Sequence, residues 1–479
     1  MIKTSNIPRL ILALGLILTT QLSAQKISIQ FTATPPSTPV VLKAPLRFDK
    51  DFAYSYTFDD ATVDAMTTGY PVLRGGVVRS IGAAFPGLFY TDGCGNSQPF
   101  NAGIAWNTAN QFGIDVHTGN VSGQMTWGQL DTLYDAGWDV MNHSYSHKSK
   151  WLFPMNGNDY INEVEQNGIA VRNKTRKKIE MPAFVVPAND DTYHNPAFTL
   201  GHKIVFDQSA STIGYGGLRV DTIQNLYALK VHRLYLNDVH QRLVPQFIDT
   251  VALRSRNGVK IWFNEFSHRV DDFTPNPTSY DFYYFKSHLE SIANQYGKTG
   301  TDRMWMAPLQ EVYEYLVTRQ TATFTSQLVG NRLDLTFDLR QIPTWLRRKT
   351  MTLTVNSTVD FNNVTVPAGI KMSFRGTGNQ RIINLDFTDF KVGTNDLEGT
   401  PSVLKLFPNP VKNSLSVDCQ TETIGKVRAI MYDISGKIML QKDFDSPKFQ
   451  LSTADLPNGL YFLMVRQGKQ IYRGKFVKQ

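Results

Sequence analysis

Ala53-Tyr54-Ser55-Tyr56-Thr57-Phe58-Asp59-Asp60 is an apolar, aromatic run with strand character that ends in two adjacent carboxylates. In an α/β fold, ligands and catalysis collect at the carboxyl ends of strands. Two neighbouring aspartates there are costly unless something positive sits between them or they divide a task. The complement lies downstream, in Trp138-Asp139-Val140-Met141-Asn142-His143-Ser144-Tyr145-Ser146-His147. Histidines four residues apart can share one face of a helical turn. With one aspartate they make a three-ligand set for a metal that keeps positions open for water and substrate.

The pattern around these stretches sets the fold class. Thr126 to Ala136, Tyr160 to Lys174, Tyr280 to Tyr296 and Leu309 to Val317 read as helices. Strands are predicted at Trp138–Met141, Met181–Val186, Gly201–Phe206, Val231–Leu236, Val259–Phe266 and Met304–Ala307. Strand alternating with helix over this length predicts a parallel sheet or barrel. Beyond about residue 320 helical spacing disappears. Period-two alternation, as in Arg332-Leu333-Asp334-Leu335-Thr336-Phe337, predicts a small antiparallel β domain over 320–393. Arg347-Arg348-Lys349 within it reads as a solvated basic cluster. A polar linker, 394–401, leads to a last unit, 402–479, which reads as a small β-sandwich with a hairpin turn at Tyr432–Lys437.

At 479 residues the chain calls for several domains. Lys3 and Arg9 precede an apolar stretch, Leu10 to Leu18, and small residues ending at Ala24, so 1–24 reads as a signal peptide. Residues 25–45 read as a lead-in to a catalytic region at 46–318. No later apolar run is long enough to span a bilayer, so the mature protein is expected to have no transmembrane segment. The net charge of +8 is spread along the chain, which suits a solvated surface or acidic glycans; no nucleic-acid partner is expected. Cys94 and Cys419 fall in different predicted domains and are not expected to pair.

Two resemblances sharpen this reading. The 402–479 unit, with Leu406-Phe407-Pro408-Asn409-Pro410-Val411, Gly459-Leu460-Tyr461 and a basic terminus, resembles the C-terminal sorting domain of type IX secretion cargo. That implies the type IX machinery as a partner. It also implies a secreted or outer-surface location, after removal of the signal peptide and the sorting domain. Thr57-Phe58-Asp59-Asp60 and His143-Ser144-Tyr145-Ser146-His147 resemble motifs one and two of the polysaccharide deacetylase family, the NodB homology domain of carbohydrate esterase family 4. The resemblance implies a distorted (β/α) barrel. It makes Asp59 the catalytic base and Asp60, His143 and His147 the ligands of a divalent metal, with zinc the usual occupant. His268, at a strand end, resembles the general acid. Pro187 and Ala188 stand where a backbone amide would help hold the oxyanion. The implied substrate is an acetylated polysaccharide, and the reaction is hydrolysis of N- or O-acetyl groups.

The family's motif-three arginine, which orients the base, is missing. Val185 or Val186 stands near its place, leaving Arg269 or another arginine to substitute, and Asp207 is the candidate for motif four. The alternative that follows is a catalytically weak or inactive surface glycan-binding protein on the same barrel. A glycosidase using Asp59 and Asp60 as its pair is a weaker rival, because adjacent strand residues point to opposite faces. His288 reads as helix packing and His117 as a residue near the cleft. Trp151, Tyr193, Tyr283 and Tyr284 could stack on sugars, though core packing is the expectation for most of them.

Overall fold

The computed structural model describes residues 25–208, 217–237, 244–256, 258–270, 280–390, 402–419, 425–433, 438–467 and 470–479. The expected signal peptide, the 394–401 linker and most of the Tyr432–Lys437 turn lie outside these residues.

Seven parallel strands close into a ring in chain order: β1 (Phe52–Phe58), β2 (Gly103–Trp106), β3 (Asp139–Asn142), β4 (Ala183–Val185), β5 (Ile204–Gln208), β6 (Leu229–Tyr235) and β7 (Ile261–Ser267). β7 pairs back onto β1 over seven residues, from Ile261↔Phe52 to Ser267↔Phe58. This is the distorted barrel expected from the sequence. The distortion has a visible source, since β1 meets β2 only through Thr57 and Phe58. The lower half of β1 pairs instead with an eighth strand, Met304–Met306.

Every residue of β1 is buried, as a strand covered on both faces requires. Its alternation still divides the work. Tyr54, Tyr56 and Phe58 face outward, and Tyr56 and Phe58 pack on Phe285 of helix α3 (Phe282–Tyr296). Ser55 faces inward and accepts a hydrogen bond from Trp262 Nε1 at 3.0 Å. Asp59 continues that inward row at the mouth. The helix α1 (Trp127–Asp135) starts at a capping box on Thr126 and Gln129, and Gly137, at φ 96°, turns the chain into β3. α2 (Gly157–Lys174) and α4 (Leu309–Thr321) complete the cover described here.

Residues 24–390 form one compact unit. The β region downstream of the barrel is two four-stranded sheets. Residues 25–45, expected as a lead-in, are strands of those sheets. Gln25–Phe31 lies between Arg332–Asp338 and Phe361–Thr365, and Val40–Lys43 pairs with Thr350–Asn356. Alternation explains it, for Ile27, Ile29 and Phe31 are fully buried while Lys26 is exposed. The proline- and threonine-rich composition between the two strands hid them.

The basic cluster at 347–349 is not a solvated face. Arg348 Nη1 lies 2.6 Å from Asp139, and its Nη2 donates to the Gly137 carbonyl at 2.7 Å. Arg347 donates to the Trp138 carbonyl and lies over the Tyr134 ring. The backbone amides of both residues bond to Glu314 of α4. Asp139 and Glu314 have fully buried side chains, and burial pushes the Glu314 carboxyl up. Two buried carboxylates side by side call for compensating cations, and the two guanidinium groups supply them. The pair fastens the β sheets to the base of the barrel.

The second unit holds a five-stranded and a three-stranded sheet around a core that includes Val411, Leu415, Leu463 and Phe476. Cys94 and Cys419 are both free.

Two outcomes follow from these charges. Arg348→Ala strands buried carboxylates and should destabilise the 24–390 unit by about 3–5 kcal/mol, read as a lowered urea midpoint. Asp334 joins two strands by accepting from Ser28 at 2.7 Å and pairing with Lys26 and Arg332. Burial would raise its carboxyl, but those partners win and hold it at about 2. Its contribution is therefore complete above the ordinary aspartate value, about 3.9. It is lost as pH falls through about 2. Asp334→Asn should remove that part of the acid sensitivity in a pH series of thermal midpoints.

Candidate metal centre and active site

Ring closure places the end of β1 beside the end of β7, where the Asp59 amide donates to the Ser267 carbonyl at 2.9 Å. Asp60 follows, and three histidines converge on its carboxylate. His143 Nε2 lies 3.5 Å and His147 Nε2 3.4 Å from Oδ1, and His268 Nε2 lies 3.8 Å from Oδ2. Ligand atoms of Asp60, His143 and His147 all lie within 4.8 Å of one another.

These separations are long for hydrogen bonds but fit ligands around one ion. Donors about 2.1 Å from a tetrahedral ion stand about 3.4 Å apart. Asp60 Oδ1 and His143 Nε2 are buried without a hydrogen-bond partner, which is costly for atoms of this kind unless something else satisfies them. The other His143 nitrogen, Nδ1, lies 2.9 Å from the Val185 carbonyl. Donating there leaves Nε2 as the lone-pair atom, the arrangement typical of a ligating histidine. The residues present therefore fit a divalent metal. Burial would raise the Asp60 carboxyl, but the His147 charge, the contact with His143 and the His268 charge hold it well below the usual carboxylate range. Burial lowers His147, favouring the neutral imidazole that a metal requires.

The histidine motif is a loop rather than a helical turn. Ser144 and His147 both take positive φ, 64° and 54°. α2 holds that loop: Glu163 accepts from the Ser146 amide at 2.7 Å and from its hydroxyl at 2.5 Å. Asn167 donates to Asn142 Oδ1, which accepts from the Ser144 amide. Asp60, Ala61, Ala188 and Asn189 also have positive φ, so six of the eleven such non-glycine residues among the described residues lie at this mouth. Strain concentrated in this way, held by surrounding bonds, is characteristic of functional sites.

Asp59 is 2% exposed and is gripped by Arg233 of β6, at 2.8 Å to Oδ1 and 2.9 Å to Oδ2. Arg233, itself fully buried, lies 4.0 Å over the Phe266 ring. This is an arginine the sequence reading missed. Its signal was a cation in the buried, otherwise apolar row of an alternating strand, with Val231, Arg233 and Tyr235 on that row and Lys230 and His232 facing out. Of the expected substitutes, Arg269 or another arginine, the one the structure sets on Asp59 is Arg233. Two residues beyond Arg233, the Tyr235 hydroxyl lies 3.0 Å from His268 Nδ1. One strand thus orients both Asp59 and His268.

Pro187 and Ala188 follow the end of β4, with Pro187 buried and Ala188 exposed. Asp207 pairs with His194 at 2.7 Å. His288 bonds Glu265 outside the ring at 2.7 Å, as packing predicted. His117 is buried, its ring centre 3.9 Å from that of Trp106 at a tilt of 32° and its two nitrogens on backbone carbonyls, and braces the loop after β2. Of the four aromatics considered for sugar contact, Tyr193 is core, whereas Trp151, Tyr283 and Tyr284 are exposed.

Residues 405–479 match the secretion system C-terminal sorting domain. That domain marks the chain for secretion or surface display through its secretion machinery. Among the described residues no helix is long and apolar enough to cross a membrane. No curated protein matches the chain. Solved structures similar to it include a Streptococcus pyogenes deacetylase, PplD, in complex with acetate. It is 15% identical, with 38% of this chain and 62% of that chain covered and a TM-score of 0.26. The T48 deacetylase with substrate is 11% identical, covering 55% and 90%, with a TM-score of 0.27. The deacetylase domain of BpsB from Bordetella bronchiseptica is 12% identical, covering 44% and 71%, with a TM-score of 0.22. This chain spans about three fifths of the streptococcal protein's length.

The site geometry predicts one divalent ion per chain. Titration with Zn2+ should raise the thermal midpoint, with about 2.7 kcal/mol gained at a hundredfold excess over Kd. Asp60→Ala should abolish both stoichiometric uptake and the rise.

Proposed function

We propose that the chain is a secreted or cell-surface, metal-dependent deacetylase that hydrolyses N- or O-acetyl groups on a polysaccharide. On this reading the barrel region, 46–318, is catalytic, and the sorting domain at 402–479 serves export. The observation that carries it is the convergence of three imidazoles on Asp60 beside a second carboxylate, Asp59, held by its own guanidinium.

A divalent ion, with Zn2+ the favoured identity, would be held by Asp60, His143 and His147 and would supply Lewis acidity for acyl hydrolysis. The chain's own residues do the rest. Asp59 takes the proton of the water that adds to the acetyl carbonyl carbon. Arg233 occupies both carboxylate oxygens, fixing the orientation of Asp59 and compensating its charge in a dry setting. The Ala188 amide faces the charge developing on the carbonyl oxygen. His268 protonates the leaving nitrogen or oxygen through Nε2 as the C–N or C–O bond breaks, releasing acetate. The Tyr235 hydroxyl can accept from or donate to Nδ1, so it holds the ring on either side of the transfer.

The rival reading, a weak or inactive glycan binder, rests on the missing motif-three arginine. Arg233 supports the catalytic reading because it supplies that function from another strand. The glycosidase reading is weakened by the different partners of the two carboxylates, Arg233 for Asp59 and imidazoles for Asp60.

The test is acetate release from N- and O-acetylated glycans by the zinc-loaded protein. Release should be abolished by chelator, restored by Zn2+ and absent in Asp60→Ala. Arg233→Met should retain the ion yet lose roughly 10²–10³ in kcat/KM, the scale of a disordered general base. Stoichiometric metal with no release from any glycan would overturn the proposal.

A further inference from the structure

Trp151 stands four residues after His147, on the loop that leaves the metal centre. Of the seven tryptophans in the chain it is the exposed one, at 64%. Exposing an indole forgoes a large apolar burial, so its setting is informative. The setting is rigid. Asp190, fully buried, accepts from the Lys150 amide at 2.7 Å, from the Tyr160 hydroxyl at 2.8 Å and from the Thr192 amide at 3.1 Å. The Tyr193 hydroxyl donates to the Lys148 carbonyl at 2.7 Å. The Lys150 ammonium sits over the Trp151 ring, 4.7 Å from its centre. That ammonium is neutralised by Asp190 at 3.3 Å and Asp191 at 2.5 Å.

A second exposed apolar element stands beside this loop at the same mouth. Phe112 and Ile114, at 78% and 61% exposed, are on the turn after β2. That turn is tied to the histidine loop by the Ala109 amide, which donates to the Tyr145 carbonyl at 2.7 Å, and by the Tyr145 hydroxyl near the Gly113 carbonyl.

We propose that Trp151 is a stacking platform for a neutral sugar ring of the substrate chain, a subsite displaced along the mouth from the residue that loses its acetyl group. This rests on the deacetylase reading and narrows it to a polymer recognised over several sugars. A pyranose presents an apolar C–H face that matches a flat indole, while its hydroxyls stay in water at the rim. Lys150, the cation over this ring, is already paired with two carboxylates, so the platform recognises its sugar by contact rather than by charge. An anionic glycan segment is not the expected occupant of this subsite.

The experiment compares the zinc-loaded full chain with Trp151→Ala and Trp151→Phe on acetylated oligosaccharides of one to six sugars. Trp151 is surface-exposed, so the fold should survive either change, which circular dichroism checks. In Trp151→Ala the loss in kcat/KM should grow with chain length to about five- to tenfold, the scale of one aromatic stack, and should appear in KM. Trp151→Phe should recover most of it, and added salt should change the loss little. A length-independent fall in kcat, or no fall at the longest oligomer, overturns the platform. Absence of acetate release from every substrate would sink the deacetylase reading instead. Affinity electrophoresis in acetylated polysaccharide would then decide the platform alone. Retardation of the wild type lost in Trp151→Ala supports it, and equal mobility overturns it.

Discussion

The pairing of β7 with β1 is the contact on which the site depends. It is a seven-residue parallel register, and it closes the ring. Closure leaves the chain no choice about neighbours. The residue after Phe58 must stand beside Ser267, and the residue after Ser267 must stand beside Asp60. Two stretches more than two hundred positions apart thereby become one mouth. The histidine loop enters the same mouth because β3 lies two strands away in the ring.

Charge buried at two levels of the barrel is handled in the same manner. At the mouth, Asp59 is compensated by Arg233 from two strands away in the ring. At the base, Asp139 and Glu314 are compensated by Arg347 and Arg348 from the β region. In both places the cation arrives on a distant segment, so neither pair is stable until the tertiary fold exists. Removing one partner is worse than replacing both by apolar groups, because it leaves a desolvated charge behind. The base cluster also explains why residues 24–390 make one compact unit rather than a barrel with an appendage.

Much of this was legible in the sequence. Periodicity placed six of the seven barrel strands and four covering helices within a few residues, because each carries an apolar pattern; β2, four residues long in a loop-rich stretch, and the helix Val244–Ser255 were not foreseen. The metal set was legible because its ligands sit directly behind two of those strands. What escaped were residues whose role is defined by something far away. Arg233 looks like one more cation until β6 is known to face Asp59. Arg347 and Arg348 look like a solvated run until Asp139 is known to be buried beneath them. Gln25–Phe31 alternates cleanly but runs into a proline- and threonine-rich stretch, and its partners lie some 300 positions downstream. The histidine spacing suggested a helical turn, yet the backbone takes two left-handed residues instead, a choice made by Glu163 and Asn167 on α2.

That first strand has a kinetic consequence. Gln25–Phe31 is an inner strand of its sheet, flanked by Arg332–Asp338 and Phe361–Thr365. Its backbone cannot be satisfied until the chain has run through the entire barrel and beyond. Loop closure over such a span is slow, and native pairing of this kind forms late. An emerging chain therefore has no means of locking its beginning, and the compact unit must complete as a whole. Such delayed closure prolongs the interval before the 24–390 unit is complete.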